Sequence, residues 1–164
     1  MRMSFRTPSL ESLEKRLSQR VWRLDYSDLV VLTTVAGYIV VFSYLTILKY
    51  YAFRVYAADL GIINQSLWTT LFAGRFLYST VESLYIPSGV FFAIHFIPIT
   101  FLIMPVYAVF PFPEMLLALQ SLIIGFGAIP IFWIARDVLR SRLAGVIFAL
   151  MYLLYAPIQA LNWH

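Results

Sequence analysis

The sequence predicts an all-α integral membrane protein with about three transmembrane helices, a Pro-broken segment that dips into the membrane, and helices lying along the interface. Three observations predict it. Hydrophobic residues make up 62% of the chain and charged residues only 12%, about half the charge of a soluble domain. With a mean hydropathy of +0.82, a 164-residue chain cannot hide its apolar surface in one water-soluble core. Four charge-free stretches, 29–48, 90–110, 115–135 and 143–161, are each long enough to cross a bilayer, which takes about 20 residues. An ordinary cytosolic enzyme, a disordered regulator and a secreted disulfide scaffold are thereby excluded. The absence of cysteine also removes disulfides, thiolate metal sites and cysteine nucleophiles.

Residues 1–28 read as a cytoplasmic basic segment. Thr7 and Pro8 suit a helix start, and Leu10, Leu13, Leu17, Val21 and Leu24 follow at spacings of three and four. Lys15, Arg16, Arg20 and Arg23 take the other faces, which describes either a helix on an anionic leaflet or a solvated helix that sets topology. Stretch 29–48 lies too far from the start for a cleavable signal and reads as a signal anchor. Residues 49–113 are expected as an external loop of the 29–164 module. Within it Asp59 opens a helical pattern with Leu60, Ile63, Leu67 and Leu71 on one face, as for an interfacial helix.

Stretch 90–110 decides between three crossings and four. Four full crossings leave six basic residues on each side. If 90–110 enters and leaves by one side, nine basic residues lie inside and only Lys49, Arg54 and Arg75 outside, which satisfies the positive-inside rule. Pro98 and Pro105 break the segment, Pro111 and Pro113 turn it sharply, and His95 asks for a wet cavity. Three crossings are therefore expected, with four as the alternative. The same mapping assigns the +4 net charge to the membrane, with no nucleic-acid partner. Trp22, Tyr26, Tyr50, Tyr51, Trp133 and Trp163 fall at interface positions. Ser121 and Gly125 form a small-residue pair for close helix packing, and Pro130 and Pro157 are expected to kink their helices.

On this plan Asp59, Glu82, His95 and His164 share the outer face with Lys49, Arg54 and Arg75. An acid beside cations at a lipid boundary suits a lipid phosphate or pyrophosphate: the cations bind the phosphate, while the carboxylate deprotonates a hydroxyl or holds a divalent metal ion. Duller roles exist for each residue. Asp59 stands where a helix N-cap belongs. His95 is more often a packing residue than a ligand, Arg54 and Lys49 suit snorkelling to headgroups, and Asn64 and Gln65 suit the satisfaction of buried polar groups. No Gly-rich phosphate loop, metal-spaced His pair or nucleophile elbow is present in the sequence.

The string Ala58-Asp59-Leu60-Gly61-Ile62-Ile63-Asn64-Gln65-Ser66-Leu67-Trp68 resembles the first motif of a prokaryotic multi-pass membrane protein family of unknown function, grouped with the GT-C glycosyltransferases. The resemblance continues through His95-Phe96-Ile97-Pro98-Ile99, Met104-Pro105-Val106-Tyr107-Ala108, Leu116–Ser121, Ile129-Pro130-Ile131 and Tyr152–Pro157, and covers about residues 28–164. It implies a polyprenyl-phosphate-linked sugar as donor, Asp59 as the catalytic or metal-binding acid in the first external loop, and helices of that loop along the membrane. Such families have eight or more crossings, with an Asp-Phe-His motif just after the third, so the chain is expected to correspond to their N-terminal part.

Three readings follow. The first is a GT-C-like module of the cell membrane, its N-terminus cytoplasmic, with Asp59 as base or metal ligand and Arg54, Arg75, His95, Asn64 and Gln65 as substrate contacts. The second is a non-catalytic subunit that packs against a partner membrane subunit. The third is a transporter fragment with its path around His95 and the broken helices.

Overall fold

The computed structural model describes residues 25–54 and 57–163. The basic helix expected within residues 1–24, with Trp22, and His164 lie outside the described residues. The regular elements among the described residues are helices, joined by turns and loops, with one isolated antiparallel bridge between Tyr78 and Val90. The chain is an all-α membrane protein: among the described residues two helices are long and apolar enough to cross a bilayer, and a bent helix pair brings the number to three if it is counted as one span.

Helix α1, Tyr26–Tyr51, is the first span. Asp25 precedes it as N-cap, and Asp28 in the first turn accepts the Asp25 N–H at 3.0 Å, which satisfies one otherwise orphaned donor. Val31, Val35 and Tyr38 recur at helical spacing and are buried, while Leu32, Val40, Val41 and Tyr44 face outward as lipid-facing side chains do. Helices α5, Pro113–Phe126, and α6, Ala128–Val138, together make the second span. The junction at Gly127 has a local cause. Pro130 has no N–H for the Phe126 carbonyl, and its ring crowds that carbonyl, so regular bonding lapses there. Helices α7, Arg142–Leu154, and α8, Ala156–Trp163, form an apolar pair bent by 50°, the geometry of a broken span or of a re-entrant loop. Pro157 leaves the Leu153 carbonyl without its helical donor, and Gln159 Nε2 donates to it at 3.3 Å instead.

Side-chain contacts at the ends of α1 establish which segments share a side. At its start, Asp28 meets Arg136 at 3.4 Å and Asp25 meets Arg142 at 2.6 Å, so the α6–α7 turn lies beside the N-terminal end of α1. At its other end the Tyr51 hydroxyl donates to Glu114 Oε1 at 2.6 Å, so α5 starts where α1 finishes. Residues 52–112 therefore leave and return on one side. Within them are helices α2, Ala57–Phe72, α3, Phe91–Ile94, and α4, Thr100–Val109, of which α2 and α4 pack against α5. The ten residues of α4 extend about 15 Å, half of a hydrocarbon core about 30 Å thick. Stretch 90–110 is thus no span of its own; it is broken between His95 and Ile99, around Pro98, whereas Pro105, expected to be a second break, lies inside α4.

Two apolar clusters hold these parts together. Val31, Val35 and Tyr38 of α1 meet Ala128, Phe132, Ala149 and Leu153 of α6 and α7. Leu67 of α2, Tyr107 of α4 and Leu116 of α5 form the second, which clamps the 52–112 region onto the second span. Small residues permit close approach: a Cβ on Gly125 would stand 2.7 Å from Ile39 Cγ1 of α1. Its expected companion, Ser121, is fully buried and donates to Asn162 Oδ1 of α8 at 3.0 Å.

Candidate functional site

Helix α2 begins at Ala57, so Asp59 sits inside its first turn and not at the cap that the sequence pattern suggested. There the carboxylate meets the positive end of the helix dipole, a favourable place worth about 0.3–1 kcal/mol. Asp59 is exposed, and no described residue ion-pairs or hydrogen-bonds with its side chain. It lines a groove of about 720 Å³ between α2, α4, α5 and α8. Leu60, Ile63, Ile103, Leu116, Ile123 and Leu161 supply apolar wall, and Gln120 supplies the other polar side chain. Gln120 is held in turn, its Nε2 donating to the Leu161 carbonyl, which ties the bent arm α8 to α5 along one edge of the groove.

The other expected site residues are distributed along α2. Arg54 is exposed in the turn between α1 and α2, five residues before Asp59. Asn64 Oδ1 accepts the buried Tyr107 hydroxyl at 2.6 Å, which joins α2 to α4. Burial raises the cost of ionising that phenol, since its charged form would lose solvent. Gln65 Oε1 accepts both the backbone N–H and the hydroxyl of Thr80, each at 3.0 Å, and so pins the following loop. Both amides thus take up the task of satisfying neighbouring polar groups.

Arg75 and His95 belong to a different place. Asp59 and Phe72 are separated by about 20 Å along the α2 axis at 1.5 Å per residue, and Arg75 lies beyond Phe72. Its guanidinium stands 3.3 Å over the Tyr78 ring, a cation–π contact. His95 follows α3, near the same end of α2, because Phe92 and Phe101 both pack on Phe76. Its Nε2 is 4.0 Å from Glu82 Oε1. Glu82, to which the sequence assigned no individual role, is 3% exposed in a 3₁₀ turn, Glu82–Leu84. Nothing in its neighbours' composition signals that burial, which comes from the loop folding back on α2.

A metal ion needs several donors. Among the described residues no group of three or more His, Cys, Asp or Glu side chains could hold one. Asp59 is the one acidic side chain lining the groove.

No curated protein and no solved structure matches the chain. A family model described as "Predicted membrane protein (DUF2079)" matches residues 49–164, from the end of α1 through α8. The match covers most of the chain, including the groove, Asp59 and both broken helix pairs, and the chain therefore belongs to the DUF2079 family of membrane proteins.

Proposed function

We propose that the chain is a GT-C-like glycosyltransferase module that takes sugar from a polyprenyl-phosphate carrier at the outer face of the cell membrane, with its N-terminus cytoplasmic. The observation that carries this reading is an exposed carboxylate without an ionic partner among the described residues, at an apolar groove of about 720 Å³. Apolar walls suit the carrier's hydrocarbon, and a free carboxylate suits proton removal. In the reaction the acceptor oxygen forms a bond to the sugar's anomeric carbon. The bond from that carbon to the carrier phosphate breaks, the electron pair leaves with the phosphate, and the hydroxyl proton passes to Asp59. Arg54, five residues from Asp59, is the candidate phosphate contact. Arg75 and His95, at the other end of α2, would not share that phosphate. The orientation rests on the basic residues: the α6–α7 turn, with Arg136, Arg140 and Arg142, lies beside the N-terminal end of α1.

The test is Asp59→Asn and Asp59→Ala in the full native protein, assayed in membranes for transfer from a labelled polyprenyl-phosphate sugar. Both variants should lose about 10²–10⁴ of the rate, the usual contribution of a general base, while eluting as the unsubstituted protein does. Full transfer by Asp59→Asn would overturn the catalytic role and favour a subunit that packs against a partner without chemistry of its own.

A further inference from the structure

A second groove, of about 600 Å³, opens between the end of α1 and the start of α5 and shares no lining residue with the groove that holds Asp59. One end of it sets a carboxylate among aromatic rings: Glu114 with Tyr51, Phe110 and Phe112. Glu114 is half-buried, and its Oε1 accepts the Tyr51 hydroxyl at 2.6 Å. A carboxylate has about four lone-pair sites, so this bond fixes its position and leaves it able to accept others. The two phenylalanines are placed by the tight turn from α4 to α5. Pro111 has a fixed φ, the Phe112 N–H donates to the Phe110 carbonyl at 2.8 Å, and Pro113 opens α5 at the position where proline fits. Tyr51, Phe110 and Phe112 are each more than half exposed, so ring surface remains for a ligand. A negative charge and aromatic faces attract the same group, an organic ammonium. A hydrocarbon alone would bury the carboxylate without a partner, and an anion would be repelled.

The rest of the groove says what the ammonium belongs to. The 26 residues of α1 extend about 39 Å, beyond a hydrocarbon core about 30 Å thick, so its last turn, with Tyr50 and Tyr51, stands at headgroup depth. Ile47 lies one turn before Tyr51, and Ala118 one turn after Glu114. Because α5 starts where α1 finishes, both lead from the aromatic end toward the hydrocarbon, with Met115 between them. We propose that this groove binds a membrane lipid by its ammonium headgroup, as in phosphatidylethanolamine or phosphatidylcholine. Glu114 meets the positive nitrogen, Tyr51, Phe110 and Phe112 flank it, and an acyl chain runs along Ile47, Met115 and Ala118. The site does not rest on the transferase reading.

The full protein, delipidated in detergent, is titrated with phosphatidylethanolamine, phosphatidylcholine and phosphatidylglycerol of identical acyl chains, and bound lipid is counted by native mass spectrometry. The two ammonium lipids should bind about tenfold more tightly than phosphatidylglycerol, the scale of one desolvated cation contact. The net charge of +4 favours the anionic lipid in general, so bulk attraction cannot produce this order. Equal binding of the three, or preference for phosphatidylglycerol, overturns the site. Glu114→Gln keeps an acceptor for Tyr51 and removes the charge; it should abolish the preference, and an unchanged preference overturns the site. Phe112→Leu keeps the apolar contact and removes one ring, and should reduce the preference about threefold. If Glu114→Gln fails to fold, Phe112→Leu and the three lipids on the unsubstituted protein decide. Free choline chloride should not displace the lipid at equal concentration; if it does, the occupant is a soluble amine and the lipid assignment is overturned.

Discussion

Replacing Gly145 by Ala should destabilise the bundle, whereas the same change at Gly37 should not. A Cβ at Gly145 of α7 would stand 2.9 Å from the Phe132 carbonyl oxygen, 2.9 Å from Phe132 Cδ2 and 3.0 Å from Arg136 Cβ. The carbonyl and the Arg136 Cβ are fixed to the backbone of α6 and cannot rotate aside, so α6 and α7 must separate. Overpacking of this kind costs about 1–3 kcal/mol. Ala recovers about 1 kcal/mol of helix propensity over Gly, leaving a net loss of up to about 2 kcal/mol. A Cβ at Gly37 of α1 meets nothing within 4 Å, so Gly37→Ala keeps the whole propensity gain, up to about 1 kcal/mol. At about 3 °C per kcal/mol for a chain of this size, the two variants should melt roughly 3–9 °C apart. Thermal unfolding in one detergent, followed by circular dichroism with tryptophan fluorescence as a second probe, measures the difference. If Gly145→Ala melts with Gly37→Ala or above it, the close approach of α6 and α7 at Gly145 is wrong.

Topology can be read from single cysteines, since the chain has none of its own. Ser88→Cys and Phe112→Cys should react with an impermeant thiol reagent from the same side and Ser141→Cys only from the other; opposite labelling of 88 and 112 would restore a fourth crossing. Tyr107→Phe removes the donor to Asn64 Oδ1 and should cost about 1–2 kcal/mol in detergent unfolding, because a part-buried acceptor is left unpaired. Ser121→Ala breaks the bond to Asn162 between α5 and α8 and should cost only about 0.6 kcal/mol, the average for hydrogen bonds between membrane helices. A loss several times larger would show that α8 depends on that one bond.

The spans were legible in the sequence because the bilayer imposes a one-dimensional test. A stretch of about 20 apolar residues and the placement of basic side chains are properties of the chain alone. The same holds for the breaks, since a proline removes a donor wherever it stands: Pro130 and Pro157 locate the junctions in the second span and in the bent pair α7–α8, and Pro98 the gap between α3 and α4. Asp59 was legible as an acid at the start of a helix, but its place within the first turn was not, because helix ends are set by hydrogen bonds that the residue pattern does not specify. The grouping of site residues needed the tertiary structure. The sequence could say only that Asp59, Arg75 and His95 share a membrane face; it could not say how far apart they stand on it. Helix α2 holds Asp59 in its first turn and leads to Arg75 just past its far end, and α4 runs back along it so that Phe101 meets Phe76 and Tyr107 meets Asn64. That antiparallel return sends His95 to the Arg75 end and leaves Asp59 facing α5 and α8 across an apolar groove. Burial of Glu82 was decided in the same way, because its surroundings are made by residues brought together when the loop closes at Tyr78 and Val90, and no local pattern records a contact that exists only after closure.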